Sequence, residues 1–349
     1  LLDCVGRRRL LQMMGAMAAS TALPAFAQTP APATPYRIDV HQHIFPPAYL
    51  AAERDRIIDA SQGVRPAVMI EWTPEKTLEE MDKNAVATSI VSISTPGVYF
   101  GDRDEGRRLT RLCNEYGAKL IADHPGRFGM FAAIPLPDTE GSLREIAYAL
   151  DTLKFSGVGL MTNYGDKWPG DPAFAPVFEE LNRRQAAVYF HPTAANCCGH
   201  LIPEISSALI EYPTDTTRCI SSLLFNGALT KYRDIHFIFA HGGGTLPMLA
   251  GRLAGWIPYL PEIAARLPNG PMYELQRLNF DIATVANPAA MAAVLKLVPV
   301  SQLLLGSDFP YLSVAFASGG MRKLGIFSDG DLMAIERDNA LRLIPHLKA

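Results

Sequence analysis

Eight short apolar runs, each followed by enough chain for a helix, constrain this sequence more than any other feature it has. The runs are Tyr36–His43, Ala87–Ser94, Phe128–Pro135, Gly157–Asn163, Ala187–Pro192, His236–Gly243, Asn279–Thr284 and Leu303–Pro310. Near-continuous hydrophobicity is what strands buried on both faces require. Between them lie amphipathic stretches at helical period: Thr77–Asn84, Glu105–Asp123, Ser142–Leu153, Pro172–Arg184 and Ala289–Leu297, with a closing helix over Asp331–Leu343. This alternation predicts an α/β fold, a parallel (β/α)8 TIM barrel over residues 36–349, in preference to an open sheet. A chain of 349 residues with 48% apolar side chains fills one such unit. Two connections, residues 44–74 and 193–232, are longer than packing needs. Both leave the C-terminal ends of strands, so they are candidate lid or oligomer-contact segments.

The N-terminus reads as an address instead of fold. Gly6-Arg7-Arg8-Arg9-Leu10-Leu11-Gln12 is a positive segment ahead of a weakly apolar run, and Ala25-Phe26-Ala27 fits a small-x-small cleavage site. Paired arginines before two leucines resemble a twin-arginine signal, against an ordinary secretory signal as the alternative. Residues 1–27 are therefore expected to be an export signal and residues 28–35 a Pro/Ala linker. The mature chain is expected in the periplasm without a membrane anchor, because the run is too short and too rich in alanine to span a bilayer. Twin-arginine export carries folded proteins, which suits a metalloenzyme loaded in the cytoplasm. A formal charge of −3 offers no electrostatic footprint for nucleic acid. Cys113, Cys197, Cys198 and Cys219 lack metal-type spacing.

Chemistry shows at the strand ends. The first strand ends Asp39-Val40-His41-Gln42-His43, and a period of two puts both histidines on one side, toward the barrel mouth. The fifth ends Phe190-His191-Pro192, the sixth Ala240-His241-Gly242, and the eighth Ser307-Asp308-Phe309. A lone buried histidine is usually a core residue with its hydrogen bonds satisfied. Five metal-ligating or proton-transfer side chains on one rim, in barrel order, point instead to an active site. Imidazole and carboxylate suit Zn²⁺ as first choice, with Mn²⁺ or Fe²⁺ as alternatives. His124, His236 and His346 lack this placement and read as structural, and His200 as ordinary loop chemistry.

These residues resemble the amidohydrolase superfamily. The closer similarity is to its branch of metal-dependent nonoxidative decarboxylases, typified by aminocarboxymuconate-semialdehyde decarboxylase, over most of residues 36–345. The stretches Ile38-Asp39-Val40-His41-Gln42-His43, Trp72-Thr73-Pro74-Glu75, Ala240-His241-Gly242-Gly243-Gly244 and Leu305-Gly306-Ser307-Asp308-Phe309-Pro310 carry it. The resemblance implies one divalent metal on His41, His43, His191 and Asp308, with His241 as acid/base. It also implies substrate-carboxylate contacts from Arg65 and from Arg252, the latter donated by the neighbouring subunit of a homodimer. The fourth run ends Leu160-Met161-Thr162-Asn163, without the lysine that bridges two metals in binuclear relatives. Gly244 stands where the hydroxybenzoate branch often has glutamate, while Ser94-Thr95-Pro96-Gly97, Asn163-Tyr164-Gly165 and Asp215-Thr216-Thr217-Arg218 look similar to a subgroup including 6-methylsalicylate decarboxylase.

The expected reaction is release of CO2 from a small aromatic or dienoic carboxylic acid. The metal would either hold the carboxylate and a neighbouring oxygen or acidify a bound water. Protons would pass through His241 or Asp308. Hydrolysis of a lactone, ester or amide could use the same groups, since fold and site do not choose between the two. A ligand-binding protein on a barrel scaffold is disfavoured, because so many ionisable groups are costly to bury for capture alone.

Overall fold

Strand β1, Arg37–His43, is buried at every position and pairs in parallel with β2, Val86–Ser92. Around the barrel follow β3 (Phe128–Ala132), β4 (Gly157–Met161), β5 (Ala187–His191), β6 (His236–Phe239), β7 (Asn279–Asp281) and β8 (Leu303–Leu304). All eight are parallel and adjacent in chain order. A bridge from Gln42 to Phe309, with Val40 N–H donating to Leu305 O at 2.9 Å, joins the last strand to the first. This is the expected (β/α)8 barrel. The computed structural model describes residues 34–60, 66–199, 201–202 and 204–347. The export signal, most of the linker, Arg65 and His200 lie outside these residues.

Two apolar layers hold the barrel together. The larger joins the outer faces of the strands to the helices, with Leu109, Val158, Phe178, Phe190 and Leu223 among its buried members. The smaller gathers Ile38, Val40, Ile90, Phe131, Tyr189, Ile238 and Leu304 with Leu343, Ile344 and Leu347. Side chains from six strands meet in that cluster, which places it inside the barrel, with the C-terminal tail as its plug. No helix among the described residues is long and apolar enough to cross a membrane.

The register of β1 on β2 shifts twice, between Arg37 and Ile38 and between Asp39 and Gln42, and the second shift bears on the site. Asp39 pairs with Ser89 and Gln42 with Val91, so β1 carries an extra residue between those pairs. The bulge shifts the inward-facing parity. Below it Ile38 and Val40 face the interior; above it His41 and His43 do.

Several strands are shorter than their apolar runs. β6 stops at Phe239, β7 at Asp281 and β8 at Leu304, while the runs continue to Gly243, Thr284 and Pro310. The backbone leaves extended geometry soon after each, with positive φ at His241 (54°), Thr284 (62°) and Asp308 (68°). Positive φ is uncommon for residues with a side chain and concentrates at functional sites. The long connection after β5 contains a regular helix, Glu211–Phe225, that helical propensity conceals. Its Thr214, Thr216 and Thr217 hydroxyls donate to carbonyls one turn back. The residues it buries, including Tyr212, Asp215, Cys219 and Leu223, fall on one face.

Candidate active site

His41, His43, His191 and Asp308 come together at the barrel mouth, their ligand atoms all within 4.8 Å of one another. His41 Nε2 and His43 Nε2 are 3.2 Å apart, and Asp308 Oδ1 lies 3.2 Å from the first and 3.1 Å from the second. Such separations suit donors sharing one cation with bonds of about 2 Å. The His191 ring stands edge-on to His43, their centroids 4.5 Å apart.

Local structure fixes which nitrogen each ring presents. His43 Nδ1 is 3.4 Å from Ser92 O, and a carbonyl only accepts, so the proton sits on Nδ1 and Nε2 faces the cluster. His41 Nδ1 lies 2.9 Å from Asp281 Oδ2, at hydrogen-bonding distance although off the N–H axis. Asp308 is placed by its own backbone, whose N–H donates to His41 O at 2.8 Å. Gly306, two residues before it, permits close approach: an added Cβ would stand 2.7 Å from Asp281 Cβ and 2.9 Å from His41 Cβ.

The electrostatics fit a metal. Burial keeps His43 and His191 below the ordinary histidine range, which leaves them neutral as ligation requires. Burial would raise Asp308, but His41 beside it prevails and holds the carboxyl well below its usual range. Burial likewise opposes the His41 imidazolium, yet Asp281 and Asp308 outweigh it and raise His41 to about 10. The buried Asp281 and the largely buried Asp308 thus call for positive charge at this point, which a divalent cation would supply. The buried Nδ1 of His191 has no hydrogen-bond partner among the described residues, a cost that coordination relieves.

His241 adjoins the cluster without joining it. Its Nδ1 is 3.3 Å from Ala283 O and 3.2 Å from Thr284 Oγ1, so the Nδ1 proton is engaged and Nε2 is free. That Nε2 lies 3.9 Å from Asp308 Oδ2, the oxygen not shared between His41 and His43. The arrangement suits an acid/base beside a metal.

A cavity of about 660 Å³ opens beside these groups, between the ends of β2 and β5. Phe131, Gly159, Met161, Asn163 and Thr193 line it, and its wall includes Ser92, whose Oγ is 3.3 Å from His43 Nδ1. Behind the lining residue Asn163 stands Asp215, a buried carboxylate accepting from Thr162 Oγ1 (2.6 Å), Asn163 Nδ2 (2.7 Å) and Trp168 Nε1 (2.8 Å). Gly244 cannot be replaced by a longer residue, since a Cβ there would meet Pro213 O at 2.1 Å. The glutamate of the hydroxybenzoate branch has no room at this position.

The family profile described as amidohydrolase matches residues 38–345. This chain belongs to the amidohydrolase family. A decarboxylase of Aspergillus niger is 36% identical to this amidohydrolase, over 89% of this chain and 88% of that protein. The 6-methylsalicylic acid decarboxylase of Aspergillus aculeatus is 34% identical, over 89% of this chain and 97% of its own length. Among solved structures, the 5-carboxyvanillate decarboxylase of Novosphingobium aromaticivorans, complexed with manganese and 4-hydroxy-3-methoxy-5-nitrobenzoic acid, superposes with a TM-score of 0.77. It is 20% identical and covers 89% of this chain and 96% of its own, a likeness of fold.

Not every predicted residue joins the site. Arg252 lies on the exposed side of the helix Leu246–Trp256 and makes no hydrogen bond or ion pair among the described residues. Of the other histidines, His124 caps the helix Arg103–Asp123 and packs on Phe128, and His236 opens β6. Cys197 and Cys198 pair with each other, while Cys113 and Cys219 are buried free thiols. Sequence reasoning missed Asp281, and named Asp215 only within a resembling stretch without a place in the site. A single carboxylate inside the apolar run Asn279–Thr284 was the available signal for the first.

Proposed function

We propose that this amidohydrolase is a metal-dependent decarboxylase of a small aromatic carboxylic acid. One arrangement carries the reading: a free His241 Nε2 3.9 Å from Asp308 Oδ2, beside a three-histidine, one-carboxylate group and a mostly apolar cavity. His41, His43, His191 and Asp308 would hold one divalent cation, which would supply Lewis acidity toward the substrate. Zinc suits this donor set. The manganese of the Novosphingobium enzyme supports that metal as an alternative.

In the proposed reaction the bond from ring carbon to carboxyl carbon breaks and CO2 leaves. The electron pair stays on the ring carbon, which takes one proton. His241 is the donor this reading assigns: with its Nδ1 proton held by Ala283 O, Nε2 takes a second proton from solvent water, gives it to the ring carbon and returns to the free base. Phe131 and Met161 give the ring an apolar wall, and Asn163 and Thr193 a polar corner. Relatives acting on 6-methylsalicylate support a ring acid bearing an apolar substituent. Hydrolysis of a lactone or ester would use the same groups, but the names of the relatives favour loss of CO2.

The proposed working unit is a homodimer in which Arg252, and Arg65 with it, grip the substrate carboxylate. Large apolar side chains exposed near Arg252, Met248 at 76% and Tyr259 at 77%, support a second copy covering that face. Export to the periplasm through residues 1–27 belongs to the same proposal, supported by the paired arginines and the Ala25-Phe26-Ala27 site.

Incubation with 6-methylsalicylate in D2O tests the reaction. Decarboxylation places one deuterium at the carbon that carried the carboxylate and yields 3-methylphenol. Recovery of every hydroxybenzoate unchanged, together with opening of lactones or esters, would select the hydrolytic reading.

A further inference from the structure

Asp281 is buried completely, and its two oxygens serve different partners. Oδ1 accepts two backbone N–H groups, from His241 at 2.9 Å and Ala283 at 3.0 Å. Oδ2 faces two side chains, accepting from Tyr189 OH at 2.7 Å and standing 2.9 Å from His41 Nδ1. One carboxylate therefore reaches both the ligand His41 and the backbone of His241, where φ is 54°.

We propose that Asp281 is the positioning residue of this site: through Oδ2 it holds the His41 proton on Nδ1, and through Oδ1 it holds the turn that presents His241. The inference rests on the reading of His41 as a metal ligand. An imidazole can give a lone pair to a cation from only one nitrogen while the other carries its proton. A carboxylate against Nδ1 selects the tautomer whose Nε2 is free, and Nε2 is the nitrogen that faces His43 and Asp308. Gly306 is part of the same device, since any side chain there would push Asp281 and His41 apart. Tyr189 adds a rigid wall: it stacks on Phe131 with ring centroids 5.1 Å apart and fixes the carboxylate plane through its hydroxyl.

The division of labour between the oxygens makes one substitution decisive. In Asp281→Asn the amide oxygen can stay at the Oδ1 position and keep both backbone bonds, so the turn at His241 is retained. The amide NH2 then occupies the Oδ2 position. Tyr189 can rotate its hydroxyl to accept from it, but His41 must present a bare Nδ1, which moves its proton to Nε2 and points an N–H at the metal position. The fold survives and a ligand is lost, a tautomer effect known from other carboxylate–histidine pairs.

The test measures Zn²⁺ affinity by chelator competition and the visible spectrum of the Co²⁺-loaded protein, with melting in excess chelator as a control for folding. Asp281→Asn is expected to melt near the unaltered protein in chelator, to bind Zn²⁺ about 10–100-fold more weakly, and to change the Co²⁺ bands. Tyr189→Phe, which removes the other Oδ2 partner, should keep metal affinity within a few-fold. Unchanged affinity and spectrum in folded Asp281→Asn overturn the proposal, whatever happens to turnover. Should Asp281→Asn not fold, nitrogen-15 histidine spectra of the unaltered Zn²⁺ protein decide the matter. A His41 ring protonated at Nδ1 and bound through Nε2 supports the assignment, and the opposite tautomer overturns it. If the unaltered protein binds no metal, the reading of the site fails instead.

Discussion

His241 Nε2 faces Asp308 Oδ2 across 3.9 Å, while the other oxygen of Asp308 is shared by His41 and His43. In the proposed function, ligation and proton transfer fall on separate atoms of neighbouring side chains. Replacing His241 by Asn keeps a donor for Ala283 O and removes only the proton carrier. His241→Asn is expected to retain its metal by elemental analysis while turnover drops by about 10²–10⁴. Metal loss equal to that of a ligand variant would show the role to be wrongly assigned.

His191 closes the ligand group from the opposite side of the barrel mouth, and its buried Nδ1 has no other partner among the described residues. His191→Ala should lose metal and activity together, while chelator-treated samples of the variant and the unaltered protein melt alike. The unaltered protein should bind one equivalent. Two tightly held equivalents per chain would contradict the mononuclear site expected from a β4 that ends without lysine.

How much of this was legible beforehand varies by residue. The meeting of His41, His43, His191, His241 and Asp308 on one rim was readable because strand order fixes where their runs end. The bulge in β1 was not, since an extra residue in a parallel ladder shows only against its partner strand. Asp281 escaped notice because a single carboxylate carries no spacing, and its importance comes from Tyr189 and His41 on other strands. The helix Glu211–Phe225 was hidden by threonines and Pro213, whose poor propensity is outweighed by burial of one face. The cavity's shape depends on Gly159 and Phe131 meeting across adjacent strands.

Acid stability has a local test far from the site. Arg183 and Arg184 donate to Glu180 at 2.7 and 2.6 Å, and the Arg183 bonds foremost pull its carboxyl down to about 2. A folded pKa below the unfolded one contributes stability that is present above about 4.5 and is lost as pH falls through about 2. Solvent screening reduces the contribution to about 1 kcal/mol. Glu180→Gln should therefore lower stability by that amount at pH 7 in urea titrations and by less near pH 2. A deficit that grows toward low pH would reverse the sign and refute the assignment.

Arg252 bears on assembly. A planar guanidinium can hold a carboxylate through two parallel bonds, which lysine cannot. Arg252→Lys should raise KM with metal content unchanged. At substrate well below the raised KM, mixing it with His241→Asn should give more activity than the two variants apart, because a mixed dimer owns one intact site. No gain over the separate variants after proven subunit exchange, or full activity in a monomer, would rule out the shared site.

Release of labelled CO2 tests the central claim most directly. Carboxyl-labelled 6-methylsalicylate would be given to the protein as purified, after chelation, and after return of one equivalent of Zn²⁺ or Mn²⁺. The account predicts labelled CO2 from the first sample, almost none from the second although it stays folded, and recovery in the third. Labelled CO2 released equally with and without metal would contradict it, as would release from no hydroxybenzoate by protein carrying its full metal equivalent.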